Sequence, residues 1–354
     1  MDEKRRAFLE NLLSLSTPSG FEMVGQRRWL EYVEPYADET YVDAYGNAVA
    51  ISKGSADGSD IAIAGHGDEI GLMVRDITDD GFLKLTAIGG SDRTITRGQH
   101  VTVHTNDGPL AGVIGQVAIH LRDPAKDEYS EIEAQHVDIG VKDGEAAKER
   151  VDIGDPVTLA TRVTELADDR LAARGMDNRV GVWTAAETFR RSVERGTDAS
   201  VYAISTVQEE VGLKGAQMVG FELDLDAVMV VDVTHTSDQP ESPDDKGSSV
   251  ELGGGPVIPR GSSNHPALVE ALRTIAADTE IEVQLSATGT RTGTDADVFY
   301  TSTGGIPSLS LGIPNRYMHT PVEVIDLADL EAAAELLSVF TTRSDQFSPF
   351  EARL

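Results

Sequence analysis

The chain has 354 residues, 40% of them hydrophobic, which is enough for a large core and predicts two domains rather than one. Against 30 Lys and Arg stand 60 Asp and Glu, a formal net charge of −30 whose field repels phosphates and anionic lipid headgroups, so nucleic acid and membrane surfaces are excluded as partners. Cysteine is absent, which excludes disulfides, thiolate metal ligands and cysteine nucleophiles; any metal must be held by His, Asp or Glu.

The acidic excess is spread over "DITDDG", "RDPAKDEYSEIE", "ADDR" and "SPDDK" instead of forming one tail. That is the pattern of a surface adapted to high salt, where screening relieves the repulsion. At the N-terminus, "MDEKRRAFLENLLSLS" predicts an amphipathic helix with Phe8, Leu9, Leu12 and Leu13 on one face. Its apolar part is too short and too interrupted for a signal or spanning segment, so a cytoplasmic location is expected.

From "DIAIAGHGDEIG" onward the chain alternates apolar strands with helical segments, except between about Leu72 and Arg162. There, short strands are joined by turn signals such as "TDDGFLKL" and "VTVHTNDGPLAGVIG", which predict a small, mostly β domain. The α/β pattern resumes with "MDNRVGVWTAAETFRRSVE", "ASVYAISTVQEEVG", "LDAVMVVDVTHT", "HPALVEALRTIAA", "IPSLSLGIP" and "IDLADLEAAAELLSVFTT". The expected fold class is α/β: a three-layer α/β/α domain formed by residues 1–71 and 163–354, with residues 72–162 inserted as a small β domain.

Open α/β sheets bind ligands beyond the carboxyl ends of their strands, and five polar segments fall at such places. They carry His66 with Asp68, Asp177, Glu209 with Glu210, Asp232, and His319. Gathering that many carboxylates costs several kcal/mol per uncompensated ion unless cations sit among them. Two imidazoles plus Asp177, Glu210 and Asp232 suit Zn²⁺ or Co²⁺, and five ligands serve two ions if one carboxylate bridges. Asp68, two residues beyond His66 on the same face of an extended chain, can accept the second N–H of the imidazole. His235 is a rival ligand by chemistry. His100, His104, His120 and His136 fall in the insert and read as structural. No G-x-S-x-G elbow accompanies Ser262 and Ser263.

The ordered blocks "HGDEIGLMV", "AIGGSDRTITRGQHV", "VDIG", "MDNRVG", "TVQEEVGLKGA", "VVDVTHT", "LGGGP", "GTDA" and "RYMHTPVE" span residues 45–325. In this the chain resembles the tetrahedral (TET), glutamyl-aminopeptidase-like family of dinuclear metallopeptidases, as an acidic, haloarchaeal-type member. The resemblance implies that Asp177 bridges two divalent ions per subunit, zinc or cobalt, with His66 and Asp232 completing one site and Glu210 and His319 the other. It further implies Glu209 as general base, release of N-terminal residues from short peptides by an activated hydroxide, and dimers assembled into a hollow dodecamer. Glycines flank His66 where the family more often has Ala and Met, and Asn178 follows Asp177 where Asp is common. The alternatives are a deacylase or carboxypeptidase with the same centre, or a catalytically silent shell protein.

Overall fold

A computed structural model of the protein describes residues 1–122, 130–240, 242 and 249–352. Parts of the acidic runs "RDPAKDEYSEIE" and "SPDDK" lie outside the described residues, whereas Asp79, Asp80, Asp168 and Asp169 of the other two are exposed.

The larger part of the fold is built on an eight-stranded sheet. Its strands are β1 (Glu39–Val42), β2 (Ala48–Ser52), β3 (Asp60–His66), β12 (Ser200–Thr206), β13 (Ala227–His235), β14 (Val257–Gly261), β15 (Gln284–Thr288) and β16 (Ser308–Asn315). The spatial order is β1-β2-β12-β3-β13-β16-β14-β15, and the four central strands from β12 to β16 are mutually parallel. Helices α1 (Glu3–Ser14), α2 (Met23–Val33), α4 (Met176–Arg195), α6 (Pro266–Thr279) and α8 (Leu327–Thr342) pack on one face, while α5 (Lys214–Glu222) and α7 (Ala296–Phe299) pack on the other.

Period-two alternation explains how one strand serves both layers. Ile61 and Ile63 join the cluster with α4 and α8, whereas Ala62 and Ala64 join Ala216, Val219 and Phe299 on the opposite face. A strand buried on both faces is apolar throughout, which is why "IAIA" and "VMVV" read as continuous runs. The expected N-terminal helix forms: Asp2 caps it by accepting the N–H of Arg5 at 2.9 Å, and Phe8, Leu9, Leu12 and Leu13 are its buried face.

The inserted domain is a closed six-stranded barrel of order β4-β5-β8-β7-β6-β9, from β4 (Gly71–Ile77) and β5 (Leu83–Ile88) through β6 (His100–Thr105), β7 (Gly108–Ile114) and β8 (His136–Asp138) to β9 (Pro156–Leu159). A short helix, α3 (Gly144–Lys148), connects the last two strands. Leu72, Val74, Leu83, Leu85, Val101, Val103, Val137 and Val157 fill the barrel core. The "NDG" turn joins β6 to β7, with Thr105 paired to Gly108 and Gly108 at φ 115, where a side chain would be strained. His100, His104 and His136 lie on barrel strands, and His104 Nε2 meets Thr158 Oγ1 at 2.8 Å.

The barrel is spliced in close to the proposed site. β4 begins five residues after His66, and the chain returns through β10 (Thr164–Glu165) and β11 (Arg170–Ala173) to Asp177. β11 also pairs with β17 (Glu323–Asp326), which follows His319. Among the described residues, no helix is long and apolar enough to cross a membrane.

Candidate metal centre

Strand register places the first ligands. His66 ends β3 opposite Thr206 of β12, and β13 pairs Val230 with Ala64. Two residues further along both strands come Asp232 and His66, level with each other and, by alternation, on the same face. Glu209 and Glu210 follow β12 in a tight turn that begins at Gln208, whose φ is 56.

Asp177 arrives from the opposite layer. The start of α4 departs from helical geometry at Asp177 (φ −73, ψ 102) and Asn178 (φ −128, ψ 39). Asn178 Nδ2 donates to the Val231 carbonyl at 2.8 Å, while its Oδ1 accepts the N–H of Gly181 at 3.0 Å. Asn178 thereby ties α4 to β13 beside Asp232. Gly65 packs where a Cβ would come within 2.6 Å of the Gly181 backbone, so the glycine before His66 serves strand–helix contact.

Asp177 sits between the two imidazoles: its Oδ1 is 3.1 Å from His66 Nε2 and its Oδ2 is 3.1 Å from His319 Nε2. Asp232 Oδ1 lies 3.8 Å and Glu209 Oε2 3.9 Å from His66 Nε2; Glu210 Oε1 lies 3.6 Å from His319 Nε2. Ligands held at about 2.0–2.2 Å in tetrahedral geometry stand about 3.3 Å from each other, so these spacings fit groups that share an ion. The buried Glu210 Oε1 has no hydrogen-bond partner, an expensive state that a cation would relieve. The seven residues singled out in the sequence therefore converge, and the donors fit divalent metal.

In the protein alone, burial suppresses the charge of three carboxyls, while Asp177 and the two imidazoles are shifted toward their charged forms. Burial pushes Glu209 up to about 9 and Glu210 up to about 10, with like-charged neighbours adding to the rise, and it also raises Asp232 well above the ordinary carboxylate range. Burial opposes ionisation of Asp177 too, but hydrogen bonds from His319 and His66 outweigh it and hold its pKa low. For His66, burial disfavours the imidazolium, and the surrounding carboxylates overcome that and raise its pKa. The hydrogen bond to Asp177 is the main cause of the rise at His319.

Asp68 does more than orient an imidazole. Oδ1 lies 3.3 Å from His66 Nδ1 and accepts the N–H of Glu209 at 3.0 Å, while Oδ2 accepts from Ser19 Oγ at 2.6 Å and from the N–H of Glu210 at 3.2 Å. Sequence reasoning missed three further buried acids. Glu22 Oε1 accepts the N–H of Gln208 at 3.2 Å. Glu69 is sandwiched between Arg174 and Arg179, with Arg179 Nη1 at 3.0 Å. Glu323 accepts backbone N–H groups from two of the expected ligands. The signal for Glu69 and Glu323 was their placement within "HGDE" and "HTPVE". His235, by contrast, is exposed at the end of β13, on the face opposite to Asp232, and Ser262 and Ser263 both donate to the Thr290 carbonyl.

Residues 46–336 match the model of the M42 glutamyl aminopeptidase family. The chain belongs to this family. It is 35% identical over 323 residues to a lysyl aminopeptidase of Pyrococcus furiosus, covering 90% of this chain and 91% of that one. Its fold matches a TET aminopeptidase from a marine-sediment Thaumarchaeota archaeon with a TM-score of 0.92 and 31% identity, over 99% of this chain and 100% of the other. A Pyrococcus horikoshii TET1 peptidase, which can assemble into a tetrahedron or a large octahedral shell, matches with a TM-score of 0.85 and 29% identity over 95% and 99%. As an M42 enzyme this protein is a metallo-aminopeptidase, a hydrolase of peptide bonds that uses divalent metal ions.

Proposed function

We propose that the chain releases N-terminal residues one at a time from short peptides at a centre of two divalent ions, zinc or cobalt. His66, Asp177 and Asp232 would hold one ion, and Asp177, Glu210 and His319 the other. The observation that carries this reading is the pair of Asp177 oxygens, each 3.1 Å from a different imidazole. When bound, such ions lower the pKa of a water held between them and polarise the peptide carbonyl.

The chain's own groups do the rest. The Asp68 carbonyl accepts from His66 Nδ1 at 3.2 Å with the carboxylate Oδ1 beside it at 3.3 Å, leaving Nε2 to face the cluster, and the carboxylate's hydrogen bonds from the Glu209 and Glu210 amides fix the turn that carries both carboxylates. Glu209, the carboxylate left outside the two ligand sets, takes the proton of the attacking water at Oε2. The water oxygen bonds to the carbonyl carbon, the C–N bond breaks, and Glu209 returns the proton to the leaving amine nitrogen. Glu209→Gln tests the assignment: metal content is expected to stay at the wild-type level while turnover falls by about 10²-fold or more. Normal turnover would remove Glu209 from the role.

The assembly of the Pyrococcus horikoshii peptidase supports a closed oligomer for this chain as well: a dodecamer built of six dimers, with the barrel contributing to dimer contacts. The net charge of −30 supports a cytoplasm rich in salt as its setting. Aminoacyl chromogenic substrates, tried with zinc and with cobalt restored to stripped protein, would identify the preferred first residue and metal.

A further inference from the structure

We infer that Glu323 is the positioning residue for the second ion site, acting through the backbone of Asp177 and His319; the inference rests on the metal centre proposed above. His66 and Asp232 stand on strands whose register places them. Asp177 and His319 lack that support, since one lies where α4 departs from helical geometry and the other in a turn, at φ 62. A residue with a side chain holds the left-handed region at a cost of about 1–3 kcal/mol and needs its surroundings to keep it there.

Glu323 supplies that restraint at both places. Its Oε2 accepts the N–H of Asp177 at 3.0 Å, and its Oε1 accepts the N–H of His319 at 2.8 Å. Topology explains how one side chain reaches both. Glu323 opens β17 opposite Ala173 of β11, which runs directly into Gly175 and Asp177, and His319 lies four residues earlier in the turn that feeds β17. The carboxylate is 2% exposed, with each oxygen occupied by a backbone donor, so it serves as a clamp and not as a ligand. The barrel completes the restraint on His319. The His319 ring packs against Gly90, where a Cβ would stand 3.0 Å from His319 Nδ1.

Glutamine at this position keeps the volume but turns one acceptor into an N–H donor that faces a backbone donor. Stripped E323Q titrated with Co²⁺, read by visible absorption and by chelator competition, is expected to bind one ion at least ten-fold more weakly than wild type. The weakened ion should be the one lost in H319A, while Tm of the metal-free protein falls by only a few degrees. Wild-type Co²⁺ binding by E323Q would overturn the inference and leave the metal centre standing, as would equal weakening of both ions accompanied by a large fall in metal-free Tm. Failure of the wild-type chain to bind Co²⁺ would overturn the centre itself, and the inference with it.

Discussion

One oxygen of Asp68 joins the two halves of the proposed chemistry: Oδ1 stands 3.3 Å from Nδ1 of His66 and accepts the amide of Glu209 at 3.0 Å. A ligand and the base therefore move together. Asp68→Ala should lower kcat by more than the loss of metal accounts for, because the turn carrying Glu209 loses two of its carboxylate anchors at once. Metal affinity should also drop, by less than the about 10–100-fold that follows complete loss of a ligand histidine's partner, because the carbonyl of residue 68 still faces His66 Nδ1. Titration of the stripped protein and turnover at saturating metal separate the two effects, and full turnover at saturating metal would show that Glu209 does not depend on Asp68.

Glu69 next door tests stability instead of chemistry. Buried between two guanidiniums and accepting the N–H of Thr17 at 2.9 Å, it ties the N-terminal segment to the point where the barrel leaves the sheet. Burial opposes its charge, but Arg174 and Arg179 outweigh that and lower its pKa. Glu69→Ala leaves the buried Arg179 and the half-buried Arg174 short of a partner and should destabilise the protein by about 3–5 kcal/mol in chemical denaturation. A change below 1 kcal/mol would show that the arginines find other partners.

Without metal, stability should fall as pH rises. Glu209 and Glu210 are raised from 4.5 to about 9 and about 10 by burial, and the histidines of the cluster are raised by their carboxylate partners. A group whose folded pKa is raised stabilises the fold fully below its unfolded pKa and loses that contribution as pH climbs to the folded value. The lowered pKa of Asp177 acts below pH 4 and does not enter this window. Tm of chelated protein should therefore decline from about pH 5 to pH 9, while metal-loaded protein stays flatter. Parallel curves would indicate that the ions do not sit among these acids.

Low salt should weaken assembly and activity together. At millimolar ionic strength the Debye length exceeds about 30 Å, so the charges of a chain at −30 repel across the whole molecule and between subunits. Light scattering and turnover after dialysis from molar to millimolar salt would read both, and indifference to salt would reject the adaptation.

The sequence by itself determined the α/β class and the β insert, because period-two and helical spacing are local properties that burial then enforces. It also marked His66, Asp68, Asp232 and the Glu209–Glu210 pair, since a charged residue closing an apolar run stands out without any coordinates. Which acids meet was beyond the reach of periodicity and spacing, and only the family resemblance of the ordered motifs implied it. Asp177 and His319 lie 142 positions apart, and only the pairing of β11 with β17 turns them toward each other. Glu22 reads as an ordinary surface acid in one dimension, and Glu69 and Glu323 stand out only as neighbours of His66 and His319; only the folded chain shows all three closed off from water. The physical reason is the range of the interactions: side-chain periodicity is written within a few residues, whereas desolvation and hydrogen bonds to distant backbone arise only when segments far apart in the chain are packed together.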